Sequence, residues 1–162
     1  MPKLLGITGN IASGKSAVRQ YLENEGALTI DADLLAQSTY LPGMLAYQPI
    51  LERFGSDICY SDGQINRSRL GKIVFNDPAA LRELESIVHP LVTQGIEDVL
   101  ARADVDLVVV EAIKLFEAGI HERCSAVWAV TAKDSLRRDR LMSTRGLTEA
   151  DAWLRIRSQS PQ

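Results

Sequence analysis

The chain has 162 residues, 46% of them hydrophobic and 24% charged, with a formal net charge of −3. That length suits one domain with a real core, and the acidic balance argues against a nucleic-acid surface, where phosphate backbones reward a basic excess. No run approaches the roughly 18 apolar residues of a membrane span, and Cys59 and Cys124 show no metal-ligand spacing and fit free thiols of a reducing cytosol.

The start, Met1-Pro2-Lys3-Leu4, leads directly into an apolar run and lacks the apolar region of a signal peptide, so a cytoplasmic location is expected. A first strand is predicted over Leu4–Thr8. Residues 9–16, Gly-Asn-Ile-Ala-Ser-Gly-Lys-Ser, then fit the pattern Gly-x-x-x-x-Gly-Lys-[Ser/Thr], and a helix-like stretch follows from Ala17 to Leu22. Gly9 and Gly14 let the chain turn tightly, so that successive N–H groups from Asn10, Ile11, Ala12 and Ser13 to Ala17 face one concavity. The helix starting near Lys15 adds its positive end there. Lys15 is placed to reach the outer phosphates and the Ser16 hydroxyl to bind Mg²⁺. Strand, glycine-rich loop and helix together predict a site for a nucleoside triphosphate.

A short second strand, Ala27–Ile30, ends in Asp31-Ala32-Asp33. From Met44 to Leu100 the pattern is mostly helical: apolar residues recur at helical spacing over Met44–Phe54, Asp62-Gly63 marks a turn, and a helix is predicted over Arg67–Phe75. Asp77-Pro78 signals a helix start, with Asp as N-cap and Pro at the first helical position; His89-Pro90 is expected to end that helix at Val88. Val105–Val110 and Ala126–Val130 read as strands buried on both faces of a parallel sheet. Helices are predicted over Ser135–Met142 and Glu149–Ile156, the second capped by Thr148 with Asp151 three residues on. Strands alternating with helices predict a three-layer α/β/α fold with a parallel sheet. The single domain divides into a core of about residues 1–40 and 103–135, a helical substrate-side insertion over about 41–102, and a lid over about 136–158.

The loop alone does not separate kinases from other nucleotide-binding proteins. Asp-x-x-Gly is absent, as is an Asn-Lys-x-Asp motif for guanine, which argues against a small GTPase. Carboxylates do stand at the C-terminal ends of two strands, where open α/β sheets bind ligands: Asp31 and Asp33 after the second, Glu111 at the end of the third. Phosphoryl transfer to a hydroxyl uses a carboxylate to orient or deprotonate it. Asp33 serves either that role or as helix N-cap to Leu34–Ser38; Asp31 reads as structural; Glu111 is either a metal-shell acid or the polar end of a strand. Six of the thirteen arginines lie between Arg137 and Arg157. They form either a phosphate-neutralising lid or a solvated helix face. A slow or inactive nucleotide-binding module is the alternative from outside the enzymes, and a kinase for another small acceptor is the alternative within them.

These residues resemble the dephospho-coenzyme A kinase family. The likeness runs through Ile7 to Ser16, Asp31-Ala32-Asp33, Phe54-Gly55, Asp62-Gly63-Gln64-Ile65-Asn66-Arg67 with Leu70, Val74-Phe75, Leu84-Glu85 and His89-Pro90. It continues through Phe116-Glu117-Ala118-Gly119, Arg140-Leu141-Met142, Ala152, Arg155-Ile156 and Gln159, and so covers essentially the whole chain. The resemblance implies a P-loop fold, transfer of the γ-phosphate of ATP with Mg²⁺ to the 3′-hydroxyl of dephospho-coenzyme A, and a monomer or weak homo-oligomer. It implies Lys15 and Ser16 on phosphate and Mg²⁺, Asp33 as base, Arg140 as a lid arginine, and Asp33, Arg67 and His89 on the acceptor side. The chain departs from the family pattern at Ala17 (commonly Thr), Glu111 (frequently Asp), Ile113-Lys114-Leu115 (Pro-Leu-Leu) and Arg137 (usually Gln). The family also continues for some tens of residues into a fifth parallel strand, so a sheet edge left open is expected here.

Overall fold

In the computed structural model, which describes residues 2–159, the chain forms two units, Met1–Asp31 with Ala103–Gln162, and Ala32–Arg102. The boundary falls at Ala32 rather than near residue 41, and the segment expected as a lid belongs to the first unit. The helix after the second strand packs against the long helix of the second unit, which carries the early boundary.

The first unit holds a parallel sheet in the order β2-β3-β1-β4, with β1 Lys3–Thr8, β2 Leu28–Asp31, β3 Leu107–Glu111 and β4 Ala126–Ala129. Val108, Val109 and Val110 are wholly buried, as expected for a β-branched run in a parallel sheet. β3 starts at Leu107 rather than Val105 because its pairing begins opposite Lys3, the first residue of β1. β2 runs one residue past the expected Ile30, since Asp31 still pairs with Glu111. Helix α1, Lys15–Asn24, lays Val18 and Leu22 on Leu5, Ile7 and Val109. Gly6 marks the tightest approach: a Cβ there would meet Leu115 Cδ2 at 2.8 Å and Cys124 Sγ at 2.9 Å.

β4 corrects an expectation. Its apolar sequence reads as buried on both faces, yet Ala126, Trp128 and Ala129 are exposed, and among the described residues it pairs only with β1. Among the described residues it lies at one edge of the sheet, and an apolar run alone does not tell an exposed strand from a buried one. The chain then forms a helical hairpin. Throughout, α2 to α5 denote the helices of the second unit, and this hairpin is α6, Asp134–Arg145, and α7, Glu149–Arg157. Gly146 turns it at φ 62°, and the Thr148 hydroxyl caps α7 by accepting from Asp151 N–H at 3.2 Å, the predicted cap.

The second unit is helical: α2 Ala32–Ser38, α3 Tyr47–Phe54, α4 Arg67–Asn76 and α5 Pro78–Arg102. Asp77 caps α5 through Oδ1, which accepts from Ala79 and Ala80 N–H, and Pro78 takes the first helical position as predicted. The helix does not end at Val88; it runs through His89-Pro90 to Arg102. Pro90 removes one backbone donor, but Val88, Val92, Ile96 and Leu100 form one buried stripe across it, and that packing outweighs the local break. The Asp62–Arg67 segment also has a structural cause. Asp62 Oδ1 takes Gln64 N–H, Cys59 bridges Ile65, and Asn66 Oδ1 caps α4 by accepting from Ser68 and Arg69 N–H.

Candidate active site

β1 hands the chain to the loop at the carboxyl end of the sheet, where Thr8 is buried and its carbonyl accepts from Val130 N–H at 2.8 Å. Gly14 precedes α1 at φ 111°, in the left-handed region that favours glycine. A Cβ there would also sit 3.3 Å from Arg140 Nη1. No side chain caps α1, so its first N–H groups and its dipole are left for an anion. Inside the loop the Ser13 hydroxyl is buried and, among the described residues, has no partner. A buried hydroxyl costs free energy until it meets an acceptor, and a phosphate oxygen is one. Lys15 is 8% exposed, and its Nζ donates to the carbonyls of Gly9 at 2.7 Å and Asn10 at 3.3 Å. The lysine is therefore sequestered on its own loop rather than exposed.

Glu111 closes the floor of the site. It is buried at the end of β3, beside Ile7 on β1 and Asp31 on β2. Its Oε1 accepts from Ser16 Oγ at 3.1 Å and its Oε2 from Arg19 Nε at 2.9 Å; Arg19 Nη1 also donates to Thr29 Oγ1 at 3.2 Å. Of the two readings left open for Glu111, a mere polar strand end does not account for a contact to the loop serine. Arg19 was not singled out in the sequence; its signal is its place one turn after Ser16 on the same helix face. The Asp31 backbone ends β2, consistent with a structural role.

The arginines divide. Arg140 Nη1 donates to the carbonyls of Ala12 at 3.0 Å and Ser13 at 2.9 Å, so it lies on the loop. Arg137 is 6% exposed and binds Ile11 O, Asp134 and Gln159, which corrects its reading as part of a basic lid surface. Arg138 is a surface group, paired with Asp139 and Glu149. In the second unit, Asp33 is exposed in the first turn of α2, which already begins at Ala32, so it is not the N-cap. Arg67 opens α4, exposed, with its guanidinium beside Tyr40; burial pushes the Tyr40 phenol up against the opposing pull of that guanidinium. His89 is half-buried within α5. Cys59 and Cys124 are free thiols, and burial pushes the Cys124 thiol up, as expected of an inert side chain.

A parallel α/β sheet, a glycine-rich loop entering an uncapped helix, and a buried acid on the loop serine define a P-loop nucleotide-binding protein of the kinase type. The family model of dephospho-CoA kinase matches residues 3–162. The chain is 43% identical to the dephospho-CoA kinase of Moorella thermoacetica, covering 98% of this chain and 77% of that one. It is 39% identical to that of Lactobacillus johnsonii, covering 99% and 83%. Among solved structures, a Thermus thermophilus protein superposes with a TM-score of 0.85 at 34% identity, covering 99% of this chain and 81% of that one. The dephospho-CoA kinase of Campylobacter jejuni does so with 0.64 at 27%, covering 98% and 81%. The chain belongs to the dephospho-CoA kinase family.

Proposed function

We propose that this kinase transfers the γ-phosphoryl group of ATP to the 3′-hydroxyl of dephospho-coenzyme A, the last step of coenzyme A synthesis. The observation that carries the reading is the loop: a buried Ser13 hydroxyl without a partner among the described residues, a helix with no side-chain cap and Lys15 stand together on one short segment. Lys15 leaves the Gly9 and Asn10 carbonyls for the outer phosphates, a stronger, charged acceptor. The oxygen donors of Ser16 and Glu111 suit Mg²⁺, a hard cation, and are the residues that would hold it. When bound, that ion neutralises charge on the phosphate oxygens. Glu111 accepts a hydrogen bond from the Ser16 hydroxyl, which would leave the serine oxygen's lone pairs to such an ion, while Arg19 fixes the Glu111 carboxylate. Asp33 orients or deprotonates the acceptor hydroxyl, with Arg67 and His89 on the acceptor side. Among the described residues, no protein group takes up Arg140 Nε or Nη2, so both are available to the transferred group. Free thiols favour a cytoplasmic enzyme and the acidic balance disfavours nucleic-acid partners; the enzyme is proposed as a monomer or weak homo-oligomer.

An ADP-release assay on dephospho-coenzyme A and a panel of nucleosides tests the reading; turnover on nucleosides alone would overturn it. Asp33→Asn keeps size and removes the charge. It should lower turnover by on the order of 10²–10⁴ with ATP affinity unchanged. Full turnover in that variant would remove Asp33 from the chemistry.

A further inference from the structure

Ile11 is held by both of its backbone polar groups. Its carbonyl accepts from Arg137 Nε at 2.9 Å, and its N–H donates to Gln159 Oε1 at 2.7 Å. Arg137 Nη2 donates to that same Gln159 oxygen at 3.1 Å, which closes a ring of three residues. Its Nη1 is anchored by Asp134 at 2.9 Å. Arg137 is almost wholly buried, so these bonds are the return on an expensive desolvation. Next in the chain, Ala12 has φ 57°, a left-handed conformation costly for any residue with a Cβ. The side chains of Ile11 and Ala12 also pack against the Leu141, Ala152 and Ile156 core of the α6–α7 hairpin. Strained backbone persists where its surroundings over-determine it, and here two arginines, an amide and an apolar seat do so.

The direction of these bonds matters for an anion. The carbonyls of Ile11, Ala12 and Ser13 are all turned onto α6 arginines. A carbonyl oxygen facing a phosphate repels it, so holding three in succession on the arginine side keeps the loop in its anion-accepting form.

We infer that Arg137 and Gln159 are positioning residues for the nucleotide: they fix the phosphate loop from behind, through Ile11, without touching ATP. This rests on the kinase reading above. Two substitutions of Arg137 separate positioning from support of the fold. Methionine matches the side chain only as far as Nε and has no donor. Glutamine places its Nε2 bond for bond where Arg137 Nε stands and can keep the Ile11 contact. Loss of a charge-assisted hydrogen bond weakens a coupled equilibrium by about tenfold. Calorimetry should therefore show Arg137→Met binding ATP about tenfold more weakly, with KM for ATP raised in parallel and kcat and KM for dephospho-coenzyme A unchanged. Arg137→Gln should recover most of the affinity, and Gln159→Leu should reproduce the loss from the other side of the ring. If Arg137→Met does not fold by circular dichroism, Gln159→Leu decides alone by the same split. Unaltered ATP affinity in a folded variant, equal losses in the Met and Gln variants, or a loss confined to kcat would overturn the inference. Failure of the unsubstituted chain to bind ATP would instead overturn the nucleotide reading, and this one with it.

Discussion

Lys15 illustrates how one residue serves two states of the loop. With its Nζ on the Gly9 and Asn10 carbonyls, it satisfies acceptors that would otherwise sit half-buried, and it trades them for phosphate when nucleotide arrives. Lys15→Ala should therefore do two things. Turnover should fall by about 10²–10³, the cost of one preorganised donor at the transition state. Urea unfolding should also show a stability loss of about 1–2 kcal/mol, because two carbonyls lose their donor. A purely catalytic effect would mean that Lys15 is solvated in the free enzyme. At this scale the sequence was legible wherever chemistry depends on spacing: Gly9, Gly14, Lys15 and Ser16 are recognisable because the loop is local. Glu111 was legible only as an acid at a strand end. Its contacts to Ser16 and Arg19 span 95 and 92 residues, and no local pattern carries them. Arg137 reads as a surface group because a charged run on a helix is solvated by default; its burial depends on a loop 126 residues away.

Elements were read better in kind than in extent. Caps declared themselves, as Thr148 and Asp77 show, because their partners lie two or three residues on. At Pro90 a local steric rule is overridden by the Val88–Leu100 stripe of α5, a helix that packs against α2, α3 and α4. β4 reads as buried on both faces because composition reports apolarity and not neighbours. On β1, Gly6 sets how closely Leu115 and Cys124 approach the strand. Gly6→Ala forces both to move, and overpacking of that kind costs about 1–3 kcal/mol. The midpoint of chemical denaturation should drop with an unchanged m-value. An unaltered midpoint would mean that the Leu115 and Cys124 side chains have room to turn away.

Across the whole molecule, the site-bearing sheet and the α6–α7 hairpin share one unit, while Asp33, Arg67 and His89 belong to the other. Nucleotide should accordingly stabilise the native chain by mass action. At a hundredfold excess of ATP over its Kd, the gain of about 2.7 kcal/mol should raise Tm by roughly 5–10 °C. The Lys15→Ala chain should show little of that shift, and an equal rise in both would place the bound nucleotide elsewhere. The clamp on Ile11 has a further consequence, one of order in time. The bond from Ile11 N–H to Gln159 joins residues 148 positions apart. β1 likewise waits for both of its partners, β3 and β4, which lie about a hundred residues downstream. During synthesis at about 5–20 residues per second, the loop therefore emerges roughly 7–30 s before the amide that steadies it. Over that interval β1 stands unpaired on both edges, and the loop goes unsteadied until α7 and Gln159 have left the ribosome.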